Sequence, residues 1–331
     1  MPIIEYLLAK GYHVLLASDG DALLFLRKRF PNLPYVALPA YHIKYRTSNM
    51  YLNMSYQLPR IIRSIRRERN WLQNSIQKHG IDAVISDNRY GIHHPKVPSI
   101  FITHQLQIKL WPAWFAKSIN RLNHYFINHF DQVWIPDIKS STNLSGELSN
   151  SDQSHHYFIG PLSRFEQSAG NDEQDHILFL LSGPEPMRSR FERIIVNQSK
   201  DLDMPVVIVR GKATAFSTSV DGHITIYDFL DGDKLRDLIC GAKYVVCRSG
   251  YSSIMDLVCL QKKRVLFVPT PGQTEQEYLA KRMQQHHGFI VQSQQGLNIK
   301  KAIYELTKID VVSTSDYCTD FDPIDQFLQT L

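Results

Sequence analysis

Short runs of β-branched and aromatic residues alternate along the chain with longer stretches whose apolar positions recur every three to four residues. That is the signature of strands and amphipathic helices in βαβ succession. In the first half the strand-like runs are HVLLAS (13–18), YVALP (35–39), DAVISD (82–87), SIFITH (99–104) and QVWIP (132–136), with helical stretches at 21–30, 54–80 and 113–130. A second set begins at HILFLLSG (176–183) and continues through PVVIVRG (205–211), HITIYDF (223–229), YVVCRSG (244–250) and RVLFVPTP (264–271). Helices are predicted between these strands at 187–202, 232–242, 252–262 and 275–287. Nearly continuous apolar strands joined by helices belong to parallel sheets covered on both faces, so the fold class is α/β.

Polar stretches at 140–156 and 160–175 divide the two sets. The expected organisation is a first doubly wound domain over 1–162, a linker over 163–172, a second domain over 173–312 and a final segment, 313–331, whose helix DPIDQFLQTL returns to the first domain. A doubly wound domain ordinarily opens with a strand, a tight loop and a helix. Here PIIEYLLAKG already reads as a helix stopped by Gly11, so the first strand and its loop are expected to be missing.

Composition narrows the class of protein. With 43% hydrophobic and 21% charged residues the chain is that of a folded protein, and no apolar run approaches the ~20 residues that cross a bilayer. A cytoplasmic location is expected. The cysteines, Cys240, Cys247, Cys259 and Cys318, lack CxxC spacing and read as buried thiols, not as a metal or disulfide framework. Net charge is +5, and RIIRSIRRER (60–69) concentrates five arginines. A solvated helix face explains these first; an anionic partner, phosphate or membrane headgroups, is the second reading. No nucleic-acid motif accompanies them.

Three stretches end a strand in a small-residue turn and start a helix. CRSGYSSIMD offers Ser249, Gly250, Ser252 and Ser253; FLLSGPEPMRSRFE offers Ser182, Gly183 and Arg188; VPTPGQTEQEY offers Gln273, Gln276 and Glu277. Unpaired N–H groups at such helix starts attract anions, most often phosphate. A serine N-cap is the simpler reading of any one of them, but all three lie at carboxyl ends of strands, where open α/β sheets bind ligands. Together they outline a polar pocket for a diphosphate and a polyhydroxylated group.

The segment VVCRSGYSSIMDLVCLQKKRVLFVPTPGQTEQEY resembles the nucleotide-sugar-binding region of family 28 glycosyltransferases, and GPLSRF and DNRYGIHHPKVPSIFITHQ resemble a related bacterial subgroup. The resemblance implies the GT-B fold, two Rossmann-like domains facing each other across a central cleft. It implies transfer of a hexose or N-acetylhexosamine from a UDP-sugar to a glycan or lipid-linked acceptor. It makes Ser249 and Gly250 the diphosphate turn, Asp256 the ribose ligand in place of the commoner glutamate, and Gln276 and Glu277 the donor-sugar contacts. Ala280 replaces a family asparagine, and Phe229 lies where the uracil edge is commonly read.

Transfer further needs stabilisation of the departing diphosphate and a base for the acceptor hydroxyl. A helix N-terminus and Arg188 supply the first; no Asp-x-Asp-type metal site is expected, nor any metal or cofactor. Asp87 and His104, each at the carboxyl end of a strand, are the candidate bases, with a turn cap and a satisfied histidine as the structural alternatives. His93 and His94 rank below them. Helix 113–130 reads first as core packing; Trp111, Trp114 and Phe115 with Lys109 and Lys117 offer a second reading, peripheral contact with the inner face of the plasma membrane. Two other functions stay open: a nucleotide-sugar-binding protein impaired in catalysis, and a UDP-sugar epimerase of the same fold.

Overall fold

The computed structural model describes residues 1–39, 50–109, 112–165, 174–183, 185–212, 217–309 and 317–331. The chain divides into two units, Met1–Leu162 with Thr319–Leu331, and Ser163–Cys318. Residues 163–165, expected to begin a linker, belong to the second unit; the rest of that expected linker lies outside the described residues.

In the first unit, α1 (Pro2–Ala9) leads to β1 (Leu16–Ser18), α2 (Gly20–Arg29) and β2 (Tyr35–Ala37), and β1 and β2 pair in parallel. After α3 (Met50–His79) come β3 (Val84–Asp87), β4 (Ser99–Ile102), α4 (Ala113–Ile127), β5 (Gln132–Ile135) and β6 (His156–Phe158). These four strands form a parallel sheet in sequential order. Alternation in β4 explains why both its faces are covered. Ile100 and Ile102 pack with Ile3 of α1 and with Ile324, Phe327 and Leu328 of the C-terminal helix (Asp322–Leu328), while Phe101 packs with Ile127 and Phe130 on the other side. Each such fully buried side chain stabilises the fold by roughly 2 kcal/mol.

The second unit contains β7 (Gln174–Leu180), α5 (Met187–Ser199), β8 (Val206–Val209), β9 (Thr218–Asp221), β10 (Ile224–Tyr227), α6 (Gly232–Gly241), β11 (Ala242–Cys247), α7 (Tyr251–Cys259), β12 (Val265–Phe267), α8 (Thr274–His287), β13 (Ile290–Val291) and α9 (Ile299–Leu306). Its seven strands are ordered β13-β12-β11-β7-β8-β10-β9, all pairs parallel except β9 with β10. The core joins Ile177 and Phe179 of β7, Phe191 and Ile195 of α5, Ile208 of β8 and Val246 of β11.

Several expectations change. Strands β6, β9 and β13 and helix α9 were not expected from periodicity. Trp114 is 71% exposed and touches Phe115 edge-to-face, so it is not core; Trp111 lies outside the described residues. Of the four cysteines only Cys247 is buried; Cys240 and Cys259 are half-buried and Cys318 is exposed. Among the described residues no helix is long and apolar enough to cross a membrane.

The turn after β3 is fixed by a buried ion network. Glu68 of α3, 0% exposed, accepts from Arg89 Nε (2.6 Å) and from the Gly91 N–H (3.2 Å), and Arg89 also donates to Asp19 (3.0 Å) and to the Pro39 carbonyl (2.7 Å). A Cβ on Gly91 would lie 2.3 Å from the Ile65 carbonyl and 2.6 Å from Glu68 Cβ. Gly91→Ala is expected to cost about 2–4 kcal/mol in urea denaturation, because both neighbours are held; a cost under about 0.5 kcal/mol would show that the turn adjusts freely.

Two imidazoles in the first unit resist protonation. Burial, with His129 and Arg69 nearby, lowers the His93 pKa to about 4, and burial with His155 and His124 does the same for His156. The unfolded chain takes up these protons near pH 6.5, the folded chain only near pH 4. Their contribution is therefore complete above about pH 6.5 and lost as pH falls toward 4. Chemical denaturation at pH 4.5 and 7 is expected to show this decline, and His93→Phe to remove roughly 1–2 kcal/mol of it.

Candidate functional site

The sequence order of the second sheet reverses between β7 and β11, and the crevice at such a switch point is where open α/β sheets bind ligands. The strand ends are level there: Cys247 lies opposite both Leu180 and Phe267. The three small-residue turns therefore emerge side by side. After β7, Ser182 and Gly183 are exposed, and Gly183 has φ +100°, a conformation open to glycine. After β11, Gly250 is the N-cap of α7. After β12, Gln273 is the N-cap of α8.

The N-cap of α7 is Gly250, which has no side chain to cap with. The simpler reading of this stretch, a serine cap, is thus overturned: Ser249 is fully buried and its Oγ donates to the Gln276 carbonyl (2.7 Å). Gln276 in turn accepts the Thr270 N–H on its Oε1 (2.9 Å). One glutamine of α8 so ties the β11 turn to the β12 turn. Gly250, at φ −71° and ψ 142°, needs no glycine for its backbone, and a Cβ there would meet nothing within 4 Å. The Cβ position of Gly250 faces open space, and Ser252, the second residue of α7, is exposed.

Other expected donor residues are engaged within the protein. Arg188 donates through Nε to Glu185 (3.0 Å) and through Nη1 to the Arg210 carbonyl (3.4 Å), and this pairing holds the Glu185 carboxyl below its ordinary pKa. The Arg188 charge is shared with a carboxylate. Glu277 is exposed and accepts the Gly272 N–H (3.3 Å), and Gln273 is half-buried. Phe229 is half-buried next to Asp228, whose carboxylate is held low by hydrogen bonds from Ser217 and Arg210.

Asp256 differs most from its expected role. It is buried, accepting Ser163 Oγ (2.9 Å) and the Arg164 N–H (3.2 Å) on one oxygen and Arg164 Nε (3.0 Å) on the other. Burial raises its pKa while Arg164 and Ser163 oppose the rise. The carboxylate fastens residues 163–164 to α7, and with the chain one methylene shorter than glutamate it is occupied there instead of presenting an edge to a ribose.

In the first unit, Asp87 closes β3 opposite Ile102, and His104 follows two residues later on the neighbouring strand's exit. Water reaches the Asp87 side chain, yet the surrounding protein is dense enough that desolvation raises its pKa, with the His104 charge pulling the other way. His93 is instead a core histidine against His129 and Phe130, and the His94 ring accepts the Lys96 N–H. The residues missed from sequence are Arg248 and Thr270, both buried in the turns of the second unit. An arginine directly following the apolar run YVVC was the available signal.

Residues 194–316 match the family model described as the glycosyltransferase family 28 C-terminal domain. The UDP-N-acetylglucosamine--N-acetylmuramyl-(pentapeptide) pyrophosphoryl-undecaprenol N-acetylglucosamine transferase of Sulfurihydrogenibium sp. (strain YO3AOP1) is 28% identical over 98 residues, 30% of this chain and 27% of that relative's length. Among solved structures, the glycosyltransferase SnogD from Streptomyces nogalater superposes with TM-score 0.65 at 10% identity, over 100% of this chain and 95% of that one. Acinetobacter baumannii MurG gives 0.53 at 12% identity, over 99% and 94%. The Methanocaldococcus jannaschii UDP-GlcNAc 2-epimerase gives 0.52 at 9%, over 96% and 99%. The fold is GT-B, with two Rossmann-like domains.

Asp256→Ala is expected to destabilise the chain by about 2–4 kcal/mol in thermal or urea denaturation, since it strands Arg164 and Ser163. Unchanged stability together with lost discrimination between UDP and 2′-deoxy-UDP would return Asp256 to the ribose.

Proposed function

We propose that this chain, a family 28-like protein of GT-B fold, is an inverting, metal-independent glycosyltransferase that moves a hexose or N-acetylhexosamine from a UDP-sugar to a glycan or lipid-linked acceptor. The observation that carries the proposal is the N-terminus of α7, open at Gly250 and set at the strand-order switch of the unit that carries the family 28 domain. The N–H groups at its helix start suit a diphosphate, and their favourable field grows in value as the leaving group gains charge.

In this reading the acceptor hydroxyl loses its proton to Asp87 or His104 and its oxygen attacks the anomeric carbon. The bond from that carbon to the diphosphate oxygen breaks on the opposite face, and UDP leaves with the electron pair. A carboxyl whose pKa is raised by its surroundings is the better base near neutrality. A polar recess of about 690 Å³ in the first unit, lined by residues including Gln107, His124, Asn143, Ser151 and Gln153, favours a polyhydroxylated acceptor. The exposed Trp114 and the exposed arginines of α3 favour work against a membrane surface, at the cytoplasmic face in this proposal. The fold shared with an epimerase supports a second reading, and the engaged Asp256 supports a third, donor binding without transfer.

Product analysis separates the three. Transfer yields a glycosylated acceptor, epimerisation yields an altered free nucleotide sugar, and the impaired protein yields neither. For the donor site itself, Gly250→Leu is the discriminating variant, since Ser249 is buried and a large residue there would damage the fold. Calorimetric titration is expected to find UDP bound in preference to ADP and GDP, with Gly250→Leu folding normally and binding UDP at least about tenfold more weakly. Equal UDP binding by wild type and variant would contradict the placement of the diphosphate.

A further inference from the structure

Arg248 is the most unusual charge among the described residues. It is 0% exposed, and its guanidinium lies 3.9 Å from the Phe191 ring centroid. Nη1 donates to the Val268 and Pro269 carbonyls (2.9 and 3.0 Å), and Nη2 donates to Gln294 Oε1 (2.6 Å) and to the Met187 carbonyl (3.4 Å). Every one of these acceptors is neutral. Nε, also buried, has no partner, and no carboxylate among the described residues pairs with the group. Burial without a counter-charge lowers its pKa to about 10, still leaving it cationic at neutral pH.

A buried charge that is not neutralised costs several kcal/mol and is ordinarily paired. The position of Arg248 indicates what pairs with it. It belongs to the turn after β11, its Nη1 holds the turn after β12, and its Nη2 reaches Met187 at the start of α5, where the turn after β7 ends. It thus stands behind all three turns at once. A second polar atom waits in the same place: Thr270 is 2% exposed, its Oγ1 is unpartnered, and that atom lies 3.9 Å from where a Cβ on Gly183 would be. The hydroxyl therefore points to the glycine turn.

We infer that Arg248 is a positioning residue whose missing counter-charge is the diphosphate of the donor, which completes the ion pair across the three turns, with the Thr270 hydroxyl turned to the same anion. Arg248 acts from behind the turns through its field and through the carbonyls it fixes, so that the N–H groups in front face the anion already oriented. This deepens the donor reading and rests on it. The consequence is specific: Arg248 governs the share of affinity that phosphate contributes and leaves the share contributed by the nucleoside.

The test compares UDP with uridine on the full chain by calorimetry. Wild type is expected to bind UDP at least about a hundredfold more tightly than uridine, with the gap narrowing as salt rises. Arg248→Gln is expected to shrink that gap by about tenfold or more while uridine affinity stays within about threefold, and Arg248→Lys, which keeps the charge, to recover most of it. Thr270→Val is expected to reduce UDP affinity by about three- to tenfold, again sparing uridine. A UDP-to-uridine ratio in folded Arg248→Gln equal to that of wild type would overturn the inference while leaving the donor site standing. Should Arg248→Gln fail to fold, Arg248→Lys decides: a ratio near wild type with its salt dependence supports the inference, and a ratio collapsed although the charge is retained overturns it. Absence of UDP binding by folded wild type would instead remove the donor reading on which it rests.

Discussion

The second unit is organised around a guanidinium that has been taken out of water without an acid beside it. Arg248 holds the carbonyls of Val268, Pro269 and Met187, so three loops that leave the sheet at one level cannot move independently. Gln276 adds a parallel tie, from the Ser249 hydroxyl to the Thr270 N–H. A parallel sheet provides level strand ends at its switch point, and helix starts provide N–H groups, but neither makes the groups rigid with respect to one another. These buried side chains do so. Each carbonyl and hydroxyl they reach is satisfied in return, which offsets part of their desolvation.

The first unit solves a related problem with paired charge. Glu68 is buried outright and is accompanied by Arg89 and the Gly91 N–H, which fix the turn that follows Asp87. The ion pair is internal to the protein here, whereas Arg248 has none among the described residues. That contrast is physical: a structural network neutralises itself, and a ligand site keeps charge in reserve for what it binds.

Much of this was legible from the pattern of residues. Runs such as SIFITH and YVVC are apolar at successive positions because both sheet faces are covered, and their strands lie where expected. β9, TSVD, is exposed along its length and carries no apolar run, and β13 has two residues, so neither leaves a periodic trace. α9 did leave one, in Ile299, Ala302, Ile303 and Leu306 behind an Asn298 cap. At the site, the turns could be read because serine, glycine and strand ends are local features. What each polar group is bonded to could not. Asp256 finds Ser163 and Arg164 some ninety residues away, Ser249 turns to α8 and Arg188 to Glu185, and such pairings are set by tertiary contact, not by spacing.

The central claim is that three separate turns of the second unit form one anion-binding surface. Hydrogen–deuterium exchange of the full chain with and without saturating UDP tests it most directly, because it reads every backbone N–H at once. The account predicts added protection in 182–187, 248–253 and 270–277 together, with the remaining strands of the second sheet unchanged. Protection confined to one of these turns, or centred on other segments while UDP is demonstrably bound, would contradict it.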